Sequence, residues 1–519
     1  MNGAQSLVRT LVGCGVDVCF MNPGTSEMHF VATLDAVPEM KSVLALFEGV
    51  VTGAADGYGR MTGSPAATLL HLGPGLGNGL ANLHNARRAR TPLINIVGDH
   101  ATYHKKFDAP LESDIEGVAR NVSSAFVRWG TSPETLGADT AEAFRAALGP
   151  PGQVATLVVP ADVSWGPGGV VAAPPSRPRP QPLDVPRVTA VADALRSGEP
   201  TALLLGNGAL GRAGLMAASR VANTVGAKFL CETFPARVAR GAGIPEVERL
   251  AYLGEMATAQ LEGVRHLILV DAKAPVSFFA YPERPSWLVP DNCEIHVLAG
   301  PSDDAVAALE ALAEEVGAPA GAARLAEIGR PELPVGELNT RAVAAAVGAL
   351  LPEGAIVSDE GNTSSLFSSS MTAGCPPHDW LFLTGGAIGQ GLPVAVGAAT
   401  ACPDRPVVSL QADGSALYTL QSWWTMARYG LDVTTVLFNN HSYAILNMEL
   451  QRVGVEGAGS RAREMLDLSH PDIDFASLAR GMGLTAWQSR TAEEFADHLA
   501  AALATPGPTL VEAILPRPA

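Results

Sequence analysis

Short apolar runs that favour β-strands alternate with longer Ala- and Gly-rich stretches that favour helices along most of the chain. A parallel connection between neighbouring strands needs a long crossover, usually a helix, so this alternation is typical of parallel sheets covered by helices. The pattern therefore predicts an α/β fold. The predicted strands span 16–20, 42–47, 67–71, 92–97, 155–159, 201–205, 228–230, 266–270, 294–297, 355–358, 406–411, 434–439 and 509–514.

Two breaks divide this pattern into three parts. Residues 172–186 contain six prolines and can continue neither a helix nor a central strand, which indicates a linker. A second stretch rich in Ala, Pro and Gly follows at 316–322. We therefore predict three α/β domains, at 1–170, 188–325 and 333–519, each a doubly wound parallel sheet.

Composition narrows the class of protein. Hydrophobic residues make up 47% of the 519 residues and charged residues 17%, as expected of a folded enzyme. A formal net charge of −17 argues against a nucleic-acid partner or an anionic membrane surface. The six cysteines form no C-x-x-C pair, and we find neither a signal-like start nor an apolar run long enough to cross a membrane. These features predict a soluble, cytoplasmic protein.

The third part carries the most specific pattern. A strand ending at 411 runs into Asp413-Gly414-Ser415, and a second strand ends at Asn439-Asn440, with 27 positions between Asp413 and Asn440. In a parallel sheet both loops lie at the carboxyl edge, where α/β folds bind ligands. An Asp carboxylate, an Asn amide oxygen and a loop carbonyl can together hold Mg²⁺. Two ordinary turns are the alternative, because Asp-Gly and Asn-Asn are common in loops.

Asp-Gly-Ser followed at this spacing by Asn-Asn-x-x-Tyr resembles the thiamine diphosphate motif of the acetolactate synthase and benzoylformate decarboxylase superfamily. Ala412 replaces the usual opening glycine. The resemblance implies that Mg²⁺ is held by Asp413, Asn440 and the carbonyl of Ser442, and that Gly414, Ser415 and Tyr443 contact the cofactor. It also implies a pyrimidine-binding first domain, a Rossmann-like middle domain and a diphosphate-binding third domain.

Two further segments of the third part are similar to the same superfamily. In the glycine-rich segment 385–393, the match makes Ile388 the apolar wedge that bends the cofactor, and makes the Gly386 carbonyl an acceptor for its 4′-amino group. A β-branched side chain supplies the stiffness that a wedge needs. Asn362 and Thr363, in the loop 360–364, match residues that meet the diphosphate. Taken singly, each segment also fits an ordinary Gly- or Ser-rich loop.

In the first part, Glu48 stands between a predicted strand and a Gly-rich helical stretch, among Phe47, Val50 and Val51. The segment resembles the Glu-bearing turn of the superfamily. By that match, the Glu48 carboxyl shares a proton with the pyrimidine ring, and this exchange generates the nucleophilic ylid. A solvated Glu at a helix start is the alternative.

Five other positions bear on the substrate. Asn22-Pro23-Gly24-Thr25 resembles a loop of benzoylformate decarboxylase, with Thr25 where a serine meets the substrate carboxylate. His71 matches an active-site histidine of that enzyme, although a lone histidine in an apolar strand is more often a core residue. Leu111 stands where acetolactate synthases place a substrate-positioning glutamine, which favours the decarboxylase-like interpretation. Ile445 and Leu446 complete a partly apolar predicted pocket.

The evidence on the second half of the reaction conflicts. Ala280 stands where benzoylformate decarboxylase has its second catalytic histidine, which favours attack on a second carbonyl compound over simple protonation. His100 and His104 fit either proton transfer or the capping of a surface loop. We therefore leave decarboxylation and carboligation both open.

The middle part contains a G-x-G-x-x-G match at 206–211, with Glu232 downstream. This pattern alone indicates a dinucleotide site. Only some members of the superfamily bind FAD in the middle domain, so FAD is not expected here.

The chain as a whole resembles proteins called acetolactate synthase-like large subunits. We therefore expect a thiamine diphosphate- and Mg²⁺-dependent decarboxylase or carboligase of 2-oxo acids, in which an enamine is protonated or added to an aldehyde or ketone. By the same resemblance, two subunits of a homodimer or homotetramer form each site. The alternatives are an acetolactate synthase that condenses pyruvate, a dinucleotide-dependent oxidoreductase and a non-catalytic partner subunit.

Overall fold

The computed structural model describes residues 1–455, 457 and 459–517. The first part forms a six-stranded, wholly parallel sheet in the order β2-β1-β3-β4-β6-β5. Its strands are β1 (Val18–Asn22), β2 (Lys41–Leu44), β3 (Ala66–Leu70), β4 (Leu93–Asp99), β5 (Val127–Trp129) and β6 (Val154–Pro160). Its helices are α1 (Gly3–Gly13), α2 (Met28–Thr33), α3 (Glu48–Thr62), α4 (Leu72–Ala89), α5 (Ile115–Arg120), α6 (Pro133–Leu148) and α7 (Ala161–Trp165).

The middle part forms a five-stranded parallel sheet in the order β10-β8-β7-β11-β12. The strands of this part are β7 (Thr201–Leu205), β8 (Lys228–Cys231), β9 (Val238–Arg240), β10 (Glu248–Arg249), β11 (His266–Val270) and β12 (Glu294–Ala299). The helices are α8 (Val185–Arg196), α9 (Arg212–Val225), α10 (Gly254–Leu261) and α11 (Ala305–Glu315).

The third part forms a seven-stranded sheet in the order β17-β18-β16-β15-β13-β14-β9. Its strands are β13 (Ile356–Glu360), β14 (His378–Phe382), β15 (Val407–Ala412), β16 (Val433–Asn439), β17 (Thr485–Ser489) and β18 (Thr509–Ile514). Its helices are α12 (Thr340–Leu350), α13 (Ser368–Met371), α14 (Gly391–Ala401), α15 (Asp413–Ala416), α16 (Gln421–Tyr429), α17 (Ala444–Arg452), α18 (Ser460–Glu464), α19 (Phe475–Gly481) and α20 (Ala492–Ala504). Strand β9 comes from the middle part and pairs antiparallel with β14.

Alternate residues of a strand point to opposite sides of its sheet, and the central strands of all three sheets are buried on both faces. In β1, Phe20 packs in a core shared with the third sheet, whereas Cys19 packs in a core of the first part alone. In β7, Leu203 and Leu204 likewise belong to two different cores. The predicted α/β fold with three doubly wound, parallel-dominated sheets is confirmed.

Five short strands were not predicted: Val127–Trp129, Val238–Arg240, Glu248–Arg249, His378–Phe382 and Thr485–Ser489. All except β14 are edge strands of two to five residues. Strand β14 is fully buried but begins with two polar residues, His378 and Asp379. Asp379 is buried in ion pairs with Arg237 and Arg405, a tertiary pairing that a hydropathy pattern does not register.

In each sheet the strand order reverses between two neighbouring strands, β1 and β3 in the first, β7 and β11 in the middle, and β13 and β15 in the third. Crevices at such switch points are the usual ligand sites of α/β folds. The loops that leave these strands carry the predicted residues around Thr25 and His71, the glycine loop 206–211, and the groups near Asn362 and Asp413. Among the described residues, no helix is both long and apolar enough to span a membrane.

Candidate active site

Glu48 is the first residue of α3, and its side chain is buried. Its Oε1 accepts a hydrogen bond from Asn22 Nδ2 at 3.1 Å, and its Oε2 accepts one from Asn78 Nδ2 at 3.0 Å. The positive end of the α3 dipole also favours a carboxylate at this position. Two amides from different elements therefore hold the carboxylate in one orientation, as a proton-exchanging group requires.

His71 follows β3 at the switch point of the first sheet and faces Glu27. Its Nδ1 lies 2.8 Å from Glu27 Oε2, which also accepts the Gly24 N–H at 2.7 Å. Burial raises the pKa of the Glu27 carboxyl, and the neighbouring His71 ring opposes this rise. A Cβ on Gly24 would overlap the His71 ring, so only glycine allows this approach. Sequence reasoning missed Glu27, which stands three residues after Gly24.

The other predicted residues of the first part lie in loops or at the start of a short 3₁₀ turn, and His100 is half-buried. Thr25 is exposed and opens the 3₁₀ turn Thr25–Glu27. Leu111 is also exposed, and Ser113 from the same loop packs on Gly73, two residues after His71. The rings of His100 and His104 are 5.4 Å apart between centroids.

Asp413 is the first residue of α15 and is buried at the carboxyl edge of the third sheet. Its Oδ1 accepts the Gly414 N–H at 2.8 Å, and its Oδ2 accepts the backbone N–H groups of Asn440 and His441 at 3.0 and 2.7 Å. Burial raises the pKa of the Asp413 carboxyl to about 6, although these three donors oppose the rise. The two motif loops are thus joined through one carboxylate.

The side chains of the second motif loop are ordered around Asn440. Its Oδ1 accepts the Ser442 N–H at 3.0 Å, and its Nδ2 donates to Ser364 Oγ at 3.3 Å. The Tyr443 ring packs so closely on Gly414 that a Cβ there would overlap it. Ile445 is half-buried and Leu446 exposed in the first turn of α17.

Glu360, the last residue of β13, organises the glycine-rich segment and was not predicted to do so. Its buried carboxylate accepts backbone N–H groups from Gly389, Gln390 and Gly391 at 2.8, 3.1 and 2.8 Å. Gln411 Nε2 also donates to it at 2.9 Å. Burial raises the pKa of the Glu360 carboxyl, and these four donors oppose the rise. The charge of one side chain therefore holds the loop that contains Gly386 and Ile388.

Ser415 and the loop after β13 meet beside this carboxylate. Ser415 Oγ accepts a hydrogen bond from Gln411 Nε2 at 2.9 Å and lies 3.5 Å from the Glu360 carbonyl. Asn362 and Thr363 lie in the 3₁₀ turn Asn362–Ser364, where Asn362 is exposed and Thr363 half-buried. Asn362 and Thr363, the two residues of this loop that are predicted to contact the diphosphate, therefore lie at the same carboxyl edge of the sheet as Asp413.

Gly386 has a φ of +75° and is covered by a side chain from the middle part. The Phe278 ring approaches Gly386 so closely that a Cβ there would lie 2.6 Å from its nearest atom. Phe278 also packs against Phe234, Tyr252 and Phe279, with ring centroids 4.9 to 5.6 Å away. We call Phe234, Tyr252, Phe278 and Phe279 the aromatic cluster. Ala280, which follows it, is exposed.

The first and third parts are joined at the two halves of the predicted site. Asn82 Nδ2 donates both to the Gly49 carbonyl at 2.8 Å and to the Gly389 carbonyl at 3.1 Å. Gly49 and Gly389 are the residues that follow Glu48 and Ile388. Asn82 is thus a third positioning residue, after Glu27 and Glu360, that sequence reasoning missed, because its two partners are 33 and 307 positions away.

Strained backbone marks one predicted residue, Asn362, and the residues that directly follow two others. Leu72, Asn362 and His441 have φ values of +51°, +50° and +56°, in the left-handed region that non-glycine residues rarely adopt. Leu72 follows His71, and His441 follows Asn440. Such strain persists only where the surroundings enforce it, and it concentrates at functional sites.

The glycine loop of the middle part is filled by a carboxylate. Gly208 N–H donates to Asp271 Oδ2 at 2.7 Å, and Asp271 also pairs with Arg90 of the first part. Asn207 Nδ2 donates to the Ala89 carbonyl at 3.0 Å. Glu232 is partly buried beside this group, and burial raises the pKa of its carboxyl to about 7.

The donor set fits the predicted groups. A carboxylate and an amide oxygen are the hard ligands that Mg²⁺ takes, and Asp413 and Asn440 lie within one hydrogen-bonded loop pair. A cation there would also offset the burial cost that raises the pKa of Asp413. Glu48, held by two amides at a helix start, suits a carboxyl that meets an aromatic amine.

Comparison with known proteins agrees with this geometry. Residues 1–120 match the family described as "Thiamine pyrophosphate enzyme, N-terminal TPP binding domain", and residues 359–513 match its "C-terminal TPP binding domain". The chain is 59% identical to "Putative acetolactate synthase large subunit IlvX" of Mycobacterium tuberculosis, over 99% of both chains. It is 28% identical to benzoylformate decarboxylase of Pseudomonas aeruginosa, over 96% of both.

A solved structure, the thiamine diphosphate-dependent 4-hydroxybenzoylformate decarboxylase of Rhodococcus jostii RHA1, superposes with a TM-score of 0.84 at 24% identity, over 100% of both chains. This likeness supports the fold. The resemblance predicted from the motifs is confirmed by the family matches and by the full-length relatives. The chain belongs to the thiamine pyrophosphate enzyme family.

Proposed function

We propose that this protein is a Mg²⁺- and thiamine diphosphate-dependent enzyme that removes CO₂ from a 2-oxo acid and then protonates the product or joins it to an aldehyde or ketone. One observation carries this proposal: two buried carboxylates lie at the carboxyl edges of the first and third sheets. The Glu48 carboxylate is held by Asn22 and Asn78. The Asp413 carboxylate is hydrogen-bonded to the backbone of Asn440. These are the positions that the family pattern predicts for the two ends of the cofactor.

The cofactor, when bound, supplies an electron sink for the bond that loses CO₂. Asp413, Asn440 and the Ser442 carbonyl would hold Mg²⁺, while Asn362, Thr363 and Ser415 would meet the diphosphate. Glu360 would position the Gly386 carbonyl and the Ile388 side chain through the backbone of residues 389–391. A metal-held anion needs no surplus of Lys or Arg, which agrees with the net charge of −17.

Glu48 would exchange a proton with the cofactor's pyrimidine end, since its two amide partners leave a single orientation for the carboxyl group. His71 would act on the substrate. Glu27 would hold the His71 ring in place through a hydrogen bond, and Gly24 would pack closely against the same ring. Thr25, on the same loop as Gly24, would meet the substrate carboxylate.

We infer the substrate class from the apolar character of the predicted pocket residues. Leu111, Ile445 and Leu446 offer no hydrogen bond, and the aromatic cluster rests on Gly386 through Phe278. We therefore propose a 2-oxo acid with a bulky apolar or aromatic side chain. The second candidate is an acetolactate synthase that condenses pyruvate, favoured by the name of the relative at 59% identity; Leu111 and His71 argue against it.

A dinucleotide-dependent oxidoreductase is disfavoured by the middle part. The Gly208 N–H, which a pyrophosphate would need, already donates to Asp271, and Asn207 is engaged with the Ala89 carbonyl. We therefore propose that the loop 206–211 joins the middle and first parts and binds no FAD.

We further propose a homodimer or homotetramer with sites between subunits. Large apolar side chains are exposed beside both halves of the site, at Leu46 near Glu48, at Leu417 and Tyr418 after Ser415, and at Leu366 and Phe367 after Thr363. Such patches mark surfaces covered by another protein. All six cysteines are free, which supports a reducing, cytoplasmic setting.

A screen of 2-oxo acids for CO₂ release tests the function, with and without an aldehyde acceptor and with products identified by mass. We expect turnover that requires both thiamine diphosphate and Mg²⁺ and that is faster with aryl or branched substrates than with pyruvate. Acetolactate as the main product from pyruvate would favour the second candidate. Activity that survives removal of thiamine diphosphate would overturn the proposal.

A further inference from the structure

His266, Glu294 and His296 form a group at the opposite edge of the middle sheet from its glycine loop. His266 is the first residue of β11 and is paired in register with Glu294, the first residue of β12. His296 lies two residues after Glu294 in β12, on the same face of the sheet. His266 Nδ1 lies 3.1 Å from His296 Nε2. Glu294 Oε2 lies 3.9 Å from the first of these nitrogens and 3.8 Å from the second.

These three atoms fit one small cation. A point in their plane lies about 2.1 Å from all three, which is the length of Zn–N and Zn–O bonds in proteins. We propose that His266 Nδ1, His296 Nε2 and Glu294 bind a Zn²⁺ ion or a similar borderline divalent metal. Two imidazoles and one carboxylate suit this metal class better than Mg²⁺ or Ca²⁺, which prefer oxygen ligands only.

A fourth side chain supports this assignment. Glu199, just before β7, places its Oε2 2.9 Å from His266 Nε2. A carboxylate that accepts the proton of one ring nitrogen leaves the other nitrogen free for a metal, and this arrangement recurs at histidine metal sites. Arg265 lies 3.7 Å from the other Glu199 oxygen, so Glu199 is not expected to bind the metal itself.

The surroundings suit neutral imidazole ligands and an open coordination position. The His266 and His296 side chains are only 11% and 16% exposed, whereas Glu294 is 69% exposed. Burial lowers the pKa of His296, which favours the neutral ring, while Glu294 opposes this shift. Three protein ligands leave one position for water or an added ligand. The metal would cross-link β11 to the edge strand β12, independently of the thiamine diphosphate site.

The test is direct titration of ZnCl₂ into the chelator-treated full chain, after loading with thiamine diphosphate and excess Mg²⁺ to fill the other cation site. We expect one tight Zn²⁺ per chain by calorimetry, and a visible d–d absorption band when Co²⁺ is used instead. Compared with the wild type, the ligand variants H296Q and E294Q should each bind Zn²⁺ at least about tenfold more weakly. The variant E199Q, which changes the partner of a ligand, should bind it about tenfold more weakly.

The matched control is H498Q, which removes a half-buried histidine of α20 far along the chain from this group. It should bind Zn²⁺ like the wild type. Melting temperatures in the absence of Zn²⁺ check that the variants are folded, and E294Q changes a side chain that is mostly exposed. Equal Zn²⁺ affinity in wild type, H296Q and E294Q, or no binding by the wild type, would overturn the proposal.

Discussion

The Glu48 carboxylate accepts hydrogen bonds from two side-chain amides. A substitution that removes the acid but keeps the size of the side chain can therefore distinguish a chemical role of Glu48 from a structural one. A glutamine at this position has nearly the same size but carries no exchangeable carboxyl proton. We predict that E48Q lowers CO₂ release by about 100-fold or more, the usual contribution of a positioned acid–base group. The affinity for thiamine diphosphate with Mg²⁺ should change little, because the diphosphate end of the site is untouched. Initial rates and calorimetry measure these two quantities.

The matched substitution E39Q provides the control. Glu39 is exposed in the loop before β2, in the same part of the chain. It should leave both quantities unchanged. Wild-type turnover by E48Q would remove Glu48 from the mechanism, whereas a joint loss of cofactor affinity and melting temperature would indicate a structural role.

At the scale of residues, the sequence predicted candidate site residues that belong to recognisable motifs. It did not predict the residues that position them. Asp413, Asn440 and Glu48 stand in recognisable strings of residues. Asn82 and Glu27 do not, because their meaning depends on partners that are remote in sequence. Glu27 is paired with a histidine 44 positions away. The strained φ of Leu72 is equally invisible, since leucine is not a residue that a turn pattern selects.

At the scale of elements, the loop between β14 and α14 depends on the end of β13. Four donors converge on the Glu360 carboxylate, three of them backbone N–H groups of consecutive residues. The variant E360Q keeps the size and shape of the side chain. It replaces one carboxylate oxygen by an amide N–H₂ group, so at least one of these donors loses its acceptor. Leaving a buried donor unpaired costs on the order of 1–3 kcal/mol. We predict a lower melting temperature and weaker thiamine diphosphate binding, measured by calorimetry.

E353Q is the control for this substitution, because Glu353 is exposed in the turn before β13. It should have no effect on either measurement. Unchanged stability and cofactor affinity in E360Q would mean that the loop holds its shape without the carboxylate charge. A loss of stability with unchanged cofactor affinity would separate the fold of the loop from its role in binding.

The central strands were predictable because each is an apolar run bounded by turn residues, and their predicted limits differ from the observed ones by three residues or fewer. Strand β9 was not predictable, because it leaves its own part of the chain to pair with β14 of another sheet. No local pattern encodes that choice. An ion pair that is remote in sequence accompanies it, between Asp379 of β14 and Arg237, which directly precedes β9.

At the scale of the whole molecule, the three parts are tied together by buried polar contacts as well as by apolar cores. Arg90 reaches Asp271 of the middle part, and Asn82 reaches Gly389 of the third. The helices α3 and α14 pack directly against each other, and their residues share one core. The linkers predicted three parts, but the sequence could not predict these contacts, since the two polar pairs join residues 181 and 307 positions apart.

The proposed assembly can be tested by mixing two inactive variants. If each site uses Glu48 of one subunit and Asp413 of its partner, a mixed dimer of E48Q and D413A contains one site with both changes and one site with neither. Random reassociation after reversible dissociation should then restore about a quarter of wild-type CO₂ release. Each variant carried alone through the same cycle is the control and should stay inactive. If both residues act within one chain, every site in the mixture carries one of the two changes. Activity that stays at background, although mass measurements show mixed dimers, would therefore exclude a shared site.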